Sequence, residues 1–486
     1  HNVAGSWLEQ NTVTFNPLNG EIIFSGNTTT ITTLAASNDN SFFNFKITGN
    51  PVTAESDLDI DGVTVIEGAL ALDENNVDFA PFNSVTIGGG GAVGDNTLTY
   101  NTGCVITIGN NATFDATGGN ITCSGSGTIE TKSRETDLGN FTCASGTVKY
   151  ERTLGQTIDE VTYFNLTVDA GTMVASANLV VNNILTIAGG TLNMNTFALT
   201  LGNAPSLGNF VMTAATPTPV FIPGANGHTV LGSWDCSAGT FQATAGTITF
   251  SGGTQTIKTN TNNKFNNLTI DGTIATLGDN DIEIGGVLLV NAAKELTVTA
   301  GDQLTFTGNS SDHIINGTLT MNTSPGINST IDFTGASTNT IVVNGTLNLN
   351  GTDATSRALV TGDLANTVNL SILEGGGTGD GLFIGNFFTI SFPHADGVKI
   401  DGTTEPTMAN GIFQNPATSG TLLNLKGAES LPPSLANLTF NGTPGVHTNV
   451  SADTDTDPVT FIDFDGTLAS TGTVAEANDE DVGDPG

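Results

Sequence analysis

Four cysteines, at positions 104, 123, 143 and 236, carry the most reactive side chains in this chain. The intervals from Cys104 to Cys123 and from Cys123 to Cys143 are nearly equal, each the length of one coil of the repeat described below. In stacked parallel β structure, residues one coil apart sit about 4.8 Å from each other, a separation across which a disulfide can close. The spacing therefore predicts a Cys123–Cys143 disulfide, with Cys104–Cys123 as second choice and buried free thiols as the alternative. Zinc is not expected, because no Cys-x-x-Cys pair occurs.

Acidic residues raise the question of calcium. Asp57-Leu58-Asp59-Ile60-Asp61-Gly62 opens like a calcium loop, but the closing acid is out of place, since Gly68 stands where it should be and Glu67 comes one position early. The segment aligns instead with Asn178-Leu179-Val180-Val181 and Asp281-Ile282-Glu283-Ile284. That alignment makes Leu58 and Ile60 inward strand residues and turns the acids to water. Asp453, Asp455 and Asp457 are the calcium candidates, because no strand alternation accounts for them; a solvated acidic loop is the competing reading.

Four of the 11 basic residues, Lys132, Arg134, Lys149 and Arg152, fall within one coil-length of each other among Glu130, Glu135, Asp137 and Glu151. Ion pairing on the surface explains them, and a contact to an acidic neighbouring subunit is the alternative, with Trp7 as a further contact candidate. No acid–base constellation recurs along the chain, so no catalytic residue is assigned and no cofactor is required. His1 suggests a copper site, but no motif ties His228, His313, His394 or His447 to it. Asn-x-Ser/Thr sequons are frequent, and Asn27, Asn111, Asn140, Asn316, Asn344, Asn350 and Asn441 are the candidates for covalent glycans.

The elements that must position these groups are strands. Apolar residues make up 37% of the chain and charged residues 12%, with Val, Ile, Leu and Phe alternating with Thr, Asn and Ser. That alternation fits a half-buried pleated surface, and no stretch shows the helical period of apolar spacing. A formal net charge of −36 would repel a phosphate backbone, which excludes nucleic acid as a partner. Apolar runs are strand-sized, as in Val287-Leu288-Leu289-Val290, so no membrane-spanning helix is expected. The chain opens at His1 inside a motif, as a mature, processed protein would.

Self-similarity gives the architecture. Gly146-Thr147-Val148-Lys149-Tyr150, then Gln156-Thr157-Ile158, then Phe164-Asn165-Leu166-Thr167-Val168 recurs as Gly246-Thr247-Ile248-Thr249-Phe250, Gln255-Thr256-Ile257 and Phe265-Asn266-Asn267-Leu268-Thr269-Ile270. A third copy opens with Gly20-Glu21-Ile22-Ile23-Phe24, and Gly5-Ser6-Trp7 precedes it as Gly232-Ser233-Trp234 precedes the last copy. Within a module, short strands ending in Gly, Asn or Asp recur about every 18 to 22 residues. One coil cannot bury its inward side chains, but stacked coils share a continuous core. The expected fold is an all-β parallel solenoid, on the order of 100 Å long if about twenty coils stack. Its modules span 1–110, 111–225 and 226–356, followed by an irregular or β-sandwich-like C-terminal unit over 357–486 with an acidic tail.

The phrases Gly246-Thr-Ile-Thr-Phe-Ser-Gly-Gly-Thr-Gln-Thr-Ile and Phe265-Asn-Asn-Leu-Thr-Ile resemble the repeats of large bacterial extracellular β-helix and adhesin-type proteins. The resemblance implies a secreted surface or matrix protein and brings no catalytic residues with it. The leading expectation is a structural subunit that polymerises head to tail into a filament or layer. A first motif starting at residue 5 leaves no polar cap on that end, and uncapped strands pair with partners. An adhesin for glycans or neighbouring cells is the second expectation. A polysaccharide-active β-helix enzyme is the third, disfavoured by the lack of paired acids and bases.

Overall fold

A computed structural model describes residues 1–8, 20–26, 28–33, 42–49, 51–72, 74–79, 84–87, 97–204, 206–214, 216–241, 243–261, 263–278, 281–308, 312–333, 340–373, 381–401, 406–416, 420–426, 434–441, 447–452 and 461–462. Among these residues every regular element is a strand, and no helix is long and apolar enough to cross a membrane. Two compact units emerge, one of residues 1–226 with 238–240 and the other of 227–237 with 241–486.

In the first unit, parallel strands stack into ladders, each strand contributed by one turn of the chain. One ladder runs from Asn2–Val3 through Glu21–Phe24, Asn44–Ile47 and Ser84–Ile87 to Glu135–Asp137, and a second from Trp7–Leu8 through Thr97–Tyr100 and Asn120–Cys123 to Asn140–Cys143. A third begins at Leu58–Ile60 and continues through Thr128–Thr131, Thr147–Tyr150 and Thr162–Val168. The second unit repeats the scheme. Its ladders include Thr247–Phe250, Asn267–Ile270 and Leu288–Val290 on one face, and Thr254–Lys258, Ile274–Leu277 and Glu295–Val298 on another. A third face carries Ile282–Ile284, Gln303–Phe306 and Ser329–Asp332. The fold is an all-β parallel solenoid.

The sequence alternation accounts for this. In Asn267–Ile270, Leu268 and Ile270 are fully buried while Asn267 and Thr269 face outward. Burying a Leu or Ile contributes about 1.5–3 kcal/mol, and a side chain inside a coil is covered only when the coils on either side are present. Corners need residues that tolerate crowding. A β-carbon on Gly49 would lie 2.1 Å from the Gly26 carbonyl oxygen, and one on Gly68 would lie 2.1 Å from that of Gly49, so only glycine lets these corners stack. In the second unit Asn410 and Asn437 hold φ of 55° and 53° at a corner. Their amides form a stack, Asn437 donating to Asn410 at 3.1 Å and Asn410 to Asn386 at 3.0 Å.

Two features differ from the sequence expectation. The length of a turn is not constant: Leu268 pairs with Leu288, within the expected period, but Val342 pairs with Ser371, a turn nearly half as long again. The added residues enter at corners, where they leave the inward rows intact. Second, the same ladders cross residue 357, where a separate unit was expected. Thr346–Asn350 pairs with Leu382–Asn386, and Ala358–Thr361 pairs with Phe388–Ser391 and, through it, with Ile412–Gln414 and Thr439–Asn441. Two prolines past residue 357 stand beside strands, Pro406 before Thr407–Ala409 and Pro416 after Ile412–Gln414. There a missing N–H costs the ladder nothing.

Candidate functional site

Several of the charged residues singled out from the sequence, Asp59, Glu130 and Lys149 among them, lie on the outward side of the third ladder of the first unit. Register places Asp59 opposite Asp78, Asp78 opposite Thr107, Thr107 opposite Glu130 and Glu130 opposite Lys149. The alternation that buries Leu58, Ile60, Ile129 and Val148 forces these polar neighbours outward. Lys149 Nζ is bonded to Glu151 and lies 2.8 Å from Asp169 Oδ2, and Lys132 Nζ lies 3.3 Å from Glu151 Oε2. Burial draws the Lys149 ammonium down, but its hydrogen bonds to Asp169 and Glu151 outweigh that and hold it above the ordinary lysine value. Burial, then Asp61 and Asp78, raise the Asp59 carboxyl; burial raises Asp78 as well, with Lys132 opposing it.

Arg134 forms an exposed pair with Glu135 at 3.3 Å. Arg152 turns along the coils instead, donating from Nη1 to the Gly155 carbonyl at 2.5 Å and from Nη2 to Asn111 Oδ1 at 3.2 Å. Thus all four basic candidates are engaged within their own chain. The calcium-loop resemblance at 57–62 resolves into the strand Leu58–Ile60. Among the described residues no group of three or more His, Cys, Asp or Glu is arranged to hold a metal ion. Asp453, Asp455 and Asp457 lie outside the described residues, as does Asn27.

Inside the second ladder of the first unit, Tyr100, Cys123 and Cys143 occupy one inward row, Cys123 being the register partner of both others. All four cysteines are free thiols. Cys123 is buried and donates to the Gly125 carbonyl at 2.9 Å; Cys143 is half-buried and accepts from the Gly146 amide at 3.0 Å. A hydrogen bond from Cys143 lowers the Cys123 thiol to about 6, and the same bond raises Cys143. Cys104 is not in this row. It sits beyond the turn at Asn101, fully buried, and burial followed by Cys123 pushes it up to about 12.

Trp7 is half-buried and packs edgewise on Phe24 and Phe42, with ring centres 6.3 and 6.0 Å away. Its repeat counterpart Trp234 is fully buried among Phe241, Phe250 and Phe265. Several glycan candidates engage the nitrogen that a sugar would take. Asn140 Nδ2 donates to Asn120, Asn344 Nδ2 to Asn316 and Asn350 Nδ2 to Asn322, while Asn111 Oδ1 accepts from Arg152 and Asn441 lies in the strand Thr439–Asn441.

Three groups went unassigned from the sequence. Gln255, in the repeated Gln-Thr-Ile phrase, is buried and donates to the Val230 and Gly232 carbonyls at 3.0 and 2.7 Å while accepting from the Gly252 amide at 3.1 Å. Its recurrence as Gln156 was the available signal. Arg357 Nη1 reaches the Phe388 and Asn410 carbonyls at 2.9 and 2.7 Å, tying successive coils together. His313 is buried, stacked on Phe306 with ring centres 3.8 Å apart, and its Nδ1 accepts from the Leu288 amide. No protein-family model, curated protein or solved structure matches this chain.

Proposed function

We propose that the protein is an extracellular structural protein, a self-assembling subunit of a cell-surface or matrix filament or layer that acts without catalysis. The observation that carries this reading is that polar side chains, outward and buried alike, are spent on holding coil to coil. Lys149 and Lys132 bind the carboxylates of their own ladder, Arg357 and Gln255 bind backbone carbonyls of neighbouring coils, and asparagines stack on asparagines. Ladders stitched in this way resist local opening, as a scaffold requires. The acidic balance of 47 Asp+Glu against 11 Lys+Arg suits a soluble subunit whose assembly is tuned by cations.

Negative-stain electron microscopy of the native protein, with and without calcium, tests the reading. Regular fibres or sheets support it. Isolated particles at every concentration overturn it and leave the glycan-binding adhesin. One observation favours that second reading: Thr229, Thr249 and Thr269 form an outward hydroxyl row at single-strand spacing, matched to a repeating polymer. A glycan array reads it directly.

A further inference from the structure

We infer that Cys123 and Cys143 form a redox-controlled cross-link that joins two successive coils of the first unit. Three observations place the sulfurs together. The residues are register partners on adjacent parallel strands, both on the inward row. Both sulfurs surround one point: a β-carbon on Gly146 would lie 2.5 Å from Cys123 Sγ and 2.7 Å from Cys143 Sγ, so the absence of a side chain at Gly146 is what gives them room. The alternative partners are held elsewhere. Tyr100 occupies the position across from Cys123 on its other side, and Cys104 sits off the row beyond a turn. Cys236, in the other unit, is buried and takes hydrogen bonds from Trp234 Nε1 at 3.1 Å and Asn263 Nδ2 at 3.4 Å.

The chemistry is thiol–disulfide exchange with a small-molecule disulfide as oxidant. Cys143 is the more exposed of the two sulfurs and meets the reagent first. The Cys143 proton passes along the shared hydrogen bond to the Cys123 thiolate. The Cys143 thiolate so formed attacks one sulfur of the small disulfide, forming a mixed disulfide and releasing one small thiolate, which takes a proton from solvent. Cys123 then attacks Cys143 Sγ as the thiolate; the new S–S bond forms as the mixed disulfide breaks, and the second small thiolate leaves with the Cys123 proton. Two protein thiols are oxidised and one small disulfide is reduced to two thiols. The hydrogen bond between the two thiols, which favours the Cys123 thiolate, gives the pair its first acceptor for a proton before the reagent arrives. The closed loop spans one whole coil, so cross-linking fastens that coil to the next on the side where Asn140–Cys143 ends its ladder.

The test incubates the native full-length chain with oxidised glutathione, quenches by acid, then alkylates in denaturant and digests without reduction. Mass spectrometry is expected to show two alkylated cysteines, Cys104 and Cys236, and a cross-linked peptide pair carrying Cys123 and Cys143. Cys104→Ala is expected to retain that cross-link, and Cys143→Ser to abolish it while leaving Cys123 glutathionylated or alkylated. Four alkylated cysteines after oxidation would overturn the inference, as would a Cys104–Cys123 peptide as the main product. If Cys143→Ser fails to fold, the wild-type and Cys104→Ala peptide maps decide alone.

Discussion

Replacing Gln255 by Leu removes a buried side chain of nearly the same size together with three hydrogen bonds. The Val230 carbonyl keeps a partner, because it also accepts from the Ser251 amide at 3.0 Å. The Gly232 carbonyl and the Gly252 amide each lose the bond that Gln255 supplies. Leaving a buried polar group unpaired costs about 1–3 kcal/mol. With Gly232 buried and Gly252 only half-buried, where water offsets part of the loss, the variant should lose about 2–4 kcal/mol of local stability. Trp234 follows Gly232 closely in the chain and is one of only two tryptophans. In a Trp7→Phe background its fluorescence reports this corner alone. Urea titration of Trp7→Phe with and without Gln255→Leu should show the midpoint moving down with little change in slope. Gln156→Leu is the internal comparison, since the structure gives Gln156 a single bond, to Thr136 at 3.2 Å. Its effect should be smaller when read by hydrogen exchange of its own strand, Gln156–Ile158. Equal, negligible effects at both glutamines would refute the reasoning that the repeated Gln is kept for its corner bonds.

Acid should weaken the second unit through His313. Burial lowers this imidazole to about 3, against about 6.5 in an unfolded chain, so between those values the unfolded state takes up a proton that the folded state refuses. Stability should fall by about 1.4 kcal/mol per pH unit below 6.5 and level off near 3; His313→Phe should flatten the urea-midpoint profile over that window, and an unchanged slope counts against it. Arg357→Met should lose about 1–3 kcal/mol locally, seen as faster hydrogen exchange across Phe388–Ser391, whose carbonyl it binds. Lys149→Met leaves Glu151 with Lys132 alone and Asp169 without this cation. At this part-exposed site the loss should be about 1 kcal/mol or less and should shrink in about 0.5 M salt; an undiminished loss in salt would assign Lys149 a packing role instead.

The strand content and the inward rows were legible because a period of two is local. Leu268 and Ile270 declare their face within a single short strand, whatever the rest of the chain does. The pairing of acids with the basic cluster was legible because the turn there keeps to the repeat period, so that Glu130 and Lys149, one coil apart, carry opposite charges. The row joining Cys123 to Cys143 could be counted because that turn of the chain keeps to the repeat period. Counting failed one turn earlier: a longer turn carries the row back to Tyr100, and not to Cys104. Corners of variable length change the register without leaving a mark in the alternation. For that reason the continuation of the ladders past residue 357, the reach of Arg357 to Asn410, the bonds of Gln255 and the stacking of His313 on Phe306 follow only from the folded chain. Alternation along a strand is set by backbone geometry residue by residue. Register between strands is set by how much chain each corner absorbs, and only the packed core decides that.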